Sequence, residues 1–419
     1  MTAGSHPFAR RVFLHIGLHK TGTTYLQNTF RVNARELMDE AVLYPTDSAR
    51  PVQTLAVADL MGRRPQGATD TRISGAWPSL VDTVNSSDAP TALLSDEHLS
   101  LVSPKQARRA VRAFAEREVH VIVTARDLAR VLVSAWQEDV KNGAAWTWAE
   151  FSAAVKDPGA ASRSPARGFW LRQDLPAILA TWQSAVPRER LHVVTVPPAG
   201  ASSVALLDRF GSLVGFDPKR LTHEPPWVNE TIGLAGTEVI RRLNERLGGR
   251  LNQRQYDRVV KLTIVRILGE QTEPVRFALP PEDLDWVRER GQRMIDELRD
   301  AAYPVVGDLD ELVPRPASGR RPDDASEAEL TDATLAALTG LAERYAKVWW
   351  ARRDPDGDTI SEDRWTRVSS SARAVVYRGQ RVAARYADRS TLMGKALDRY
   401  LKLRALSRDR AAGGRKAAG

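Results

Sequence analysis

His15-Ile16-Gly17-Leu18-His19-Lys20-Thr21-Gly22-Thr23-Thr24-Tyr25-Leu26-Gln27 is the stretch on which the fold turns. Upstream, Val12 to Ile16 is a short apolar run with β-branched residues, which reads as a strand. Downstream, Leu26, Phe30 and Leu37 recur at helical spacing. Between them lies a loop rich in Gly and Thr. The order is therefore strand, tight loop, helix. Gly17 and Gly22 permit backbone conformations and close approach that a side chain would block. The first N–H groups of the following helix have no intrahelical partner. Together with the helix dipole and the Thr hydroxyls they form an anion site, and Lys20 adds a mobile positive charge beside it.

Further strands are predicted at Thr91 to Ser95, Val119 to Thr124 and Leu191 to Val196. The nearly continuous apolar run Val119 to Thr124 suits a parallel strand buried on both faces. Helices are expected after Pro104, over Leu128 to Lys141, near Leu175 to Ala185 and near Val204 to Val214. Alternating strands and helices imply an α/β fold: a P-loop-like parallel sheet flanked by helices, with ligands at the carboxyl ends of its strands. From about residue 226 the pattern turns mostly helical, at Ile232 to Leu247, Gln255 to Gly269 and Pro281 to Ala301. The expected organisation is one domain over 1–303, with its α/β core at about 10–225 and a helical part at 226–303. A linker or surface loop rich in Pro, Gly and Asp follows over 304–325. A helical, basic extension occupies 326–419, with Glu327 to Trp350 as its clearest helix.

Composition excludes several chemistries. The 419 residues contain no cysteine, which rules out disulfides, thiolate metal sites and a cysteine nucleophile. No His/Asp/Glu cluster has metal-ligand spacing, and no metal is expected. No run of about 18 apolar residues predicts a membrane span. Met1 to Arg11 has no apolar region of the secretory type, so a cytoplasmic protein is expected. The net charge is +9, yet residues 361–419 alone hold 15 Lys and Arg against 5 Asp and Glu. The high pI thus describes a tail, and nucleic-acid binding is not expected from it. That tail, with Trp349-Trp350-Ala351-Arg352-Arg353 before it, leaves peripheral contact with an anionic membrane surface open. It also leaves open an acidic partner or a solvated end.

A second informative stretch is His120-Val121-Ile122-Val123-Thr124-Ala125-Arg126-Asp127, followed by Ser134-Ala135-Trp136-Gln137 one to three turns into a helix. Arg offers a charge-assisted, bidentate contact to a phosphate, and Ser a hydroxyl donor. By themselves, Arg126 also reads as a helix-start cation beside Asp127, and Ser134 as a packing serine. The first loop is not a Walker A motif, because Lys20 precedes the second glycine instead of following it.

Lys20-Thr21-Gly22-Thr23-Thr24 instead resembles the 5′-phosphosulfate loop of the sulfotransferases that use 3′-phosphoadenosine-5′-phosphosulfate (PAPS). The usual form there is Pro-Lys-Ser/Thr-Gly-Thr-Thr-Trp/Tyr-Leu. This chain departs from it at His19, where Pro is common, and keeps the charged and hydroxyl positions. Arg126 and Ser134, about 100 residues later at a strand–helix junction, resemble the same family's 3′-phosphate motif. The resemblance covers about residues 10–230 and is specific only at the two loops. It implies a bacterial, carbohydrate-type member that binds PAPS through Lys20, Thr21, Gly22, Thr23, Thr24, Arg126 and Ser134. The reaction it implies is in-line transfer of a sulfuryl group to a hydroxyl or amine of a carbohydrate, glycolipid or small molecule, with Lys20 stabilising charge on the leaving oxygen.

A general base belongs near the end of a neighbouring strand. Thr91-Ala92-Leu93-Leu94-Ser95-Asp96-Glu97-His98 offers Glu97 first, then His98, then Asp96. Strand-Ser-X-Glu resembles the segment that carries a proposed Glu base in bacterial members. An N-cap at Ser95 or Asp96, with Glu97 favoured by the dipole, is the alternative. His19 is placed to contact acceptor or cofactor, whereas His15 belongs inside the strand. Trp146 and Trp148 read first as packing, then as a stacking platform for adenine or a sugar. Asn229 reads as an N-cap. Two other functions fit the same pattern less well: a P-loop kinase or NTPase, and a non-catalytic nucleotide-binding module.

Overall fold

The computed structural model describes residues 10–47, 51–62, 72–114, 116–157, 159, 165–202, 204–225, 232–271 and 277–350. They divide into two compact units, one of residues 45–87 and one of the residues flanking them. The smaller unit holds two helices, α3 (Val52–Met61) and α4 (Ala76–Asn85), which bury Leu60, Trp77, Leu80 and Val84.

The larger unit is built on a six-stranded parallel sheet. Its strands are β1 (Arg11–His15), β2 (Val42–Leu43), β3 (Thr91–Ser95), β4 (Glu118–Ala125), β5 (Leu191–Thr195) and β6 (Val305–Val306). Their spatial order is β2-β3-β1-β4-β5-β6. β3 and β5 are buried along their whole length, as parallel strands covered on both faces must be. β1 lies between β3 and β4, with His15 level with Ser95 on one side and Ile122 on the other. The chain leaves β1 toward the β2 edge and leaves β4 the opposite way, toward β5 and β6, so its connections diverge between β1 and β4, where open sheets of this kind receive ligands.

The flanking helices run in order. α1 (Thr23–Val32) and α2 (Ala34–Asp39) follow β1, and α5 (Pro104–Arg112) follows β3. After β4 come α6 (Leu128–Lys141), α7 (Trp148–Lys156), α8 (Pro165–Gln173) and α9 (Leu175–Gln183). α10 (Ala205–Val214) follows β5. Phe30 of α1 and Phe210 of α10 pack with Phe13, Leu93 and Ile122 of the sheet. A second core joins Leu132 and Trp136 of α6 to Phe151 of α7. It continues through α11 (Gly233–Leu247), α12 (Gln253–Tyr256), α13 (Val265–Gln271), α14 (Pro281–Ala301) and α15 (Glu327–Trp350). No helix among the described residues is long and apolar enough to cross a membrane.

Two places differ from the sequence expectation. The helix expected over Gln255 to Gly269 contains a π-helical segment, Asp257–Ile264, between α12 and α13. Its wider turn lets Val260 and Ile264 reach the core while Lys261 points toward α6. The stretch 304–325, expected as linker or surface loop, supplies β6 beside β5. It is held there by Glu311, which takes two bonds of 2.7 Å from Arg209 and one from Thr195. The basic tail 361–419 and Asn229 lie outside the described residues.

Candidate active site

The loop after β1 first continues the sheet. Ile16 and Leu18 donate to Ile122 and Thr124 at 2.9 and 2.8 Å, and Thr124 donates back to Gly17 at 2.6 Å. It then turns sharply, with Lys20 at φ +65° and Gly22 at φ +86°. A Cβ at Gly17 would crowd Cβ of Glu97 at 3.0 Å, and one at Gly22 would press on the movable Cδ2 of Leu206 at 2.9 Å; at both, a φ near +90° is one that side chains rarely adopt. Lys20 has no such excuse. Its left-handed backbone costs about 1–2 kcal/mol, a strain of the kind found at functional loops.

Helix α1 begins at Gly22 with no side-chain cap and no acidic residue in its first turn. The N–H groups at Thr23 and Thr24 are thus receptive to an outside anion. Thr24 is exposed and Thr23 buried. Thr21, by contrast, is 0% exposed. Its hydroxyl donates to the Leu18 carbonyl and meets Thr124 Oγ1 at 2.6 Å. Of the loop residues expected to bind the donor, Thr21 therefore offers its backbone only.

Beneath the loop, His15 joins three strand ends. Its Nδ1 lies 2.7 Å from Ser95 Oγ at the end of β3, and its Nε2 3.1 Å from Thr124 Oγ1 near the end of β4. Complete burial, against a weaker pull from Asp96, drives the His15 pKa down to about 3. The ring is neutral, which suits it to bridge two hydroxyls.

Lys20 and Arg126 meet at this loop. Arg126 Nη1 donates to the Lys20 carbonyl at 3.3 Å, beneath the turn that carries the ammonium. Its Nε is buried and has no partner among the described residues. Burial first, then Arg130, lowers the Arg126 pKa to about 10, leaving it cationic at neutral pH. The Lys20 ammonium donates to Glu138 Oε2 at 3.1 Å. Glu138 also receives Asn142 at 3.1 Å and Lys261 at 3.4 Å on Oε1. Burial opposes charge on Glu138, yet Lys20, Lys261 and Lys141 outweigh it and hold the carboxyl at about 2.

The start of α6 is closed. Asp127 caps it, accepting from Arg130 N at 3.0 Å and pairing with the Arg130 guanidinium. Ser134 donates to the Arg130 carbonyl at 2.8 Å, so its hydroxyl must turn away from that carbonyl before it can donate to a phosphate.

At the end of β3, Asp96 receives both His98 N and His98 Nδ1, at 2.9 and 2.8 Å. This bond, against burial, raises the His98 pKa above its ordinary 6.5. With Nδ1 on Asp96, Nε2 is the nitrogen left for a substrate hydroxyl, on a side chain 40% exposed. Glu97 accepts from Gln27 of α1 at 2.7 Å. His19 stands edge-on to His98, ring centres 5.7 Å apart. Burial, then His98 and Arg172, depress its pKa to about 3. The sequence thus brings Lys20, Thr23, Thr24, Arg126, Glu97 and His98 to one end of the sheet. It misses Glu138 and Lys261. Glu138 follows Ser134 by four residues and so shares its helix face, whereas Lys261 depends on the π turn. Trp148 belongs to the core, stacked edge-on to Trp136 and donating to Asp283 at 3.0 Å.

Comparison of the chain with protein-family models, with curated proteins and with solved structures found no match.

Proposed function

We propose that this protein transfers a sulfuryl group from PAPS to a hydroxyl or amine of a carbohydrate, glycolipid or small-molecule acceptor. One observation carries the proposal: Lys20 sits on a strained loop at an uncapped helix start, braced by a buried Arg126 whose Nε has no partner among the described residues. An uncapped helix start and an unsatisfied buried guanidinium both suit a ligand with two separated anionic groups, which fits PAPS. When bound, PAPS supplies the sulfuryl group and leaves as adenosine 3′,5′-bisphosphate. The N–H groups of Thr23 and Thr24, the Thr24 hydroxyl and Gly22 would hold the 5′ end, and Arg126 the 3′-phosphate, joined by Ser134 when its hydroxyl turns from the Arg130 carbonyl.

The remaining steps fall to side chains. Lys20 exchanges Glu138 for the oxygen on which negative charge builds. Lys261 and Asn142 then keep Glu138 satisfied. His98, oriented by Asp96, takes the acceptor's proton on Nε2 as the new bond to sulfur forms and the old one breaks. Glu97, tied to Gln27, positions α1 against this segment. The NTPase alternative would ask Asp127 to serve a metal, but Asp127 caps α6 and pairs with Arg130. Cytoplasmic work and peripheral membrane contact through the tail go with this proposal.

Calorimetric titration with adenosine 3′,5′-bisphosphate, without metal, tests it on wild type and Arg126→Ala. Micromolar binding that weakens by about 1.5–3 kcal/mol in the variant is expected. No binding by the wild type, with ATP–Mg²⁺ binding in its place, overturns it.

A further inference from the structure

Two histidines meet at the candidate site, and their surroundings pull them apart. His98, just past the end of β3, donates Nδ1–H to Asp96 at 2.8 Å. His19 stands edge-on to it, in the loop residue before Lys20. It has no such partner: its Nδ1 is buried without a hydrogen bond among the described residues. Burial first, then His98, Arg172 and Lys20, oppose a proton on the His19 ring, and only Asp96 favours one, so His19 titrates at about 3. The Asp96 bond, by contrast, raises His98 against its burial. Neighbouring groups pushed in opposite directions divide the proton work of a site: one takes a proton and the other does not.

A neutral imidazole carries one N–H. On Nδ1 of His19 it would be a buried donor with nothing to receive it, which folded chains rarely tolerate. Nε2 is not sealed in this way: the side chain is half-buried, and only Nδ1 is enclosed without a partner. The arrangement therefore selects the Nε2–H tautomer and leaves Nδ1 a bare lone pair. The backbone holds the ring in place. Gln173 of α8 donates to the His19 carbonyl at 2.9 Å, and Arg126 donates to the next carbonyl, that of Lys20, at 3.3 Å.

We propose that His19 is a catalytic residue of the transfer step, donating Nε2–H to a non-bridging oxygen of the sulfuryl group. The role rests on the sulfotransfer proposal. The acceptor oxygen bonds to sulfur, and the bond from sulfur to the 5′-phosphate oxygen breaks. The acceptor's proton goes to His98, and His19 keeps its own. A donor that keeps its proton stabilises charge without being consumed, and one held neutral does not repel the Lys20 ammonium beside it.

Two measurements on the full chain test it. Histidine ¹⁵N NMR of the free protein should show one ring, missing from His19→Phe, with a bare Nδ1 and a protonated Nε2 that does not titrate around neutral pH. A proton on Nδ1, or titration near neutrality, overturns the proposal whatever the nucleotide does. Calorimetry then compares PAPS with adenosine 3′,5′-bisphosphate, which lacks the sulfuryl group. His19→Phe should weaken PAPS about tenfold and leave the bisphosphate unchanged. It should also lower kcat about 10²-fold without moving the pH limb set by His98. His19→Gln, whose amide nitrogen reaches the place of Nε2, should recover most of both losses. If His19→Phe weakens both nucleotides alike, or neither, or if His19→Gln does no better, the role of His19 is overturned while the sulfotransfer proposal stands. If the wild type binds neither nucleotide, both fall together.

Discussion

Two strand-to-helix junctions lie side by side in this sheet, and they treat an incoming anion in opposite ways. After β1, helix α1 opens at a glycine with no cap and no acid. After β4, helix α6 opens on Asp127, whose carboxylate already occupies the end of the dipole. Both were read from sequence as phosphate sites. The first can bind an anion through backbone. The second can do so only through Arg126, and through Ser134 once its hydroxyl turns away from the Arg130 carbonyl, since its own helix start is filled. A strand, a loop and a helix are therefore not enough to make an anion site; the residue at the cap decides.

The contrast can be broken at its strongest point first. Lys20→Ala removes the mobile charge from the open junction, and kcat should fall about 10²- to 10³-fold, as for loss of one electrostatic stabiliser of a transition state. Steady-state transfer assays would reveal it, and an unchanged kcat would detach Lys20 from the chemistry. Arg126→Ala acts on the closed junction, where its effect should appear in nucleotide affinity, by about tenfold or more. Thr24→Asp makes the open junction resemble the closed one. A carboxylate in the first turn of α1 should weaken adenosine 3′,5′-bisphosphate severalfold while leaving the melting temperature unchanged or raised, because it complements the dipole by about 0.3–1 kcal/mol. Asp127→Ala does the reverse. It should cost about 1–2 kcal/mol of stability in chemical denaturation and shift nucleotide affinity least of all.

Acid provides a further test. His15 and His19 have pKa values pushed down to about 3 by burial. Unfolded, each would protonate near 6.5, so the unfolded state binds more protons between those values. Stability should fall as pH drops from 6.5 toward 3. His98 behaves oppositely, because its pKa is raised in the fold. Its contribution is full below 6.5 and is lost as pH rises through the raised value. As a base it must be deprotonated, so kcat/KM should climb with pH through that value, and His98→Gln should flatten the limb. A flat wild-type profile over this range would return Glu97 to the front.

Most of the sheet was legible because its strands are unbroken apolar runs. Thr91–Ser95 and the helices Leu128–Lys141 and Pro281–Ala301 fall where periodicity put them. β2 and β6 are two residues each, too short for any period to register, and they exist because β3 and β5 offer them an edge. The turn from Lys20 to Thr24 between β1 and α1 was legible, since its geometry is local. The fate of the Thr21 hydroxyl was not, because it depends on Thr124, 103 residues away. Glu138 and Lys261 escaped for the same reason: they matter only once Lys20, 118 residues from Glu138, has arrived beside them.

The ion pair between Lys20 and Glu138 gives the site a threshold. The ammonium is not idle before a ligand comes; it is occupied by a carboxylate held firmly ionised. Entry is an exchange of one anion for another, and a small anion gains little by it. A ligand that also engages the α1 start and Arg126 can offset the lost pair with contacts elsewhere. Under the sulfotransfer proposal, the internal carboxylate would thus act as a filter that favours extended anions over the simple salts that surround the protein.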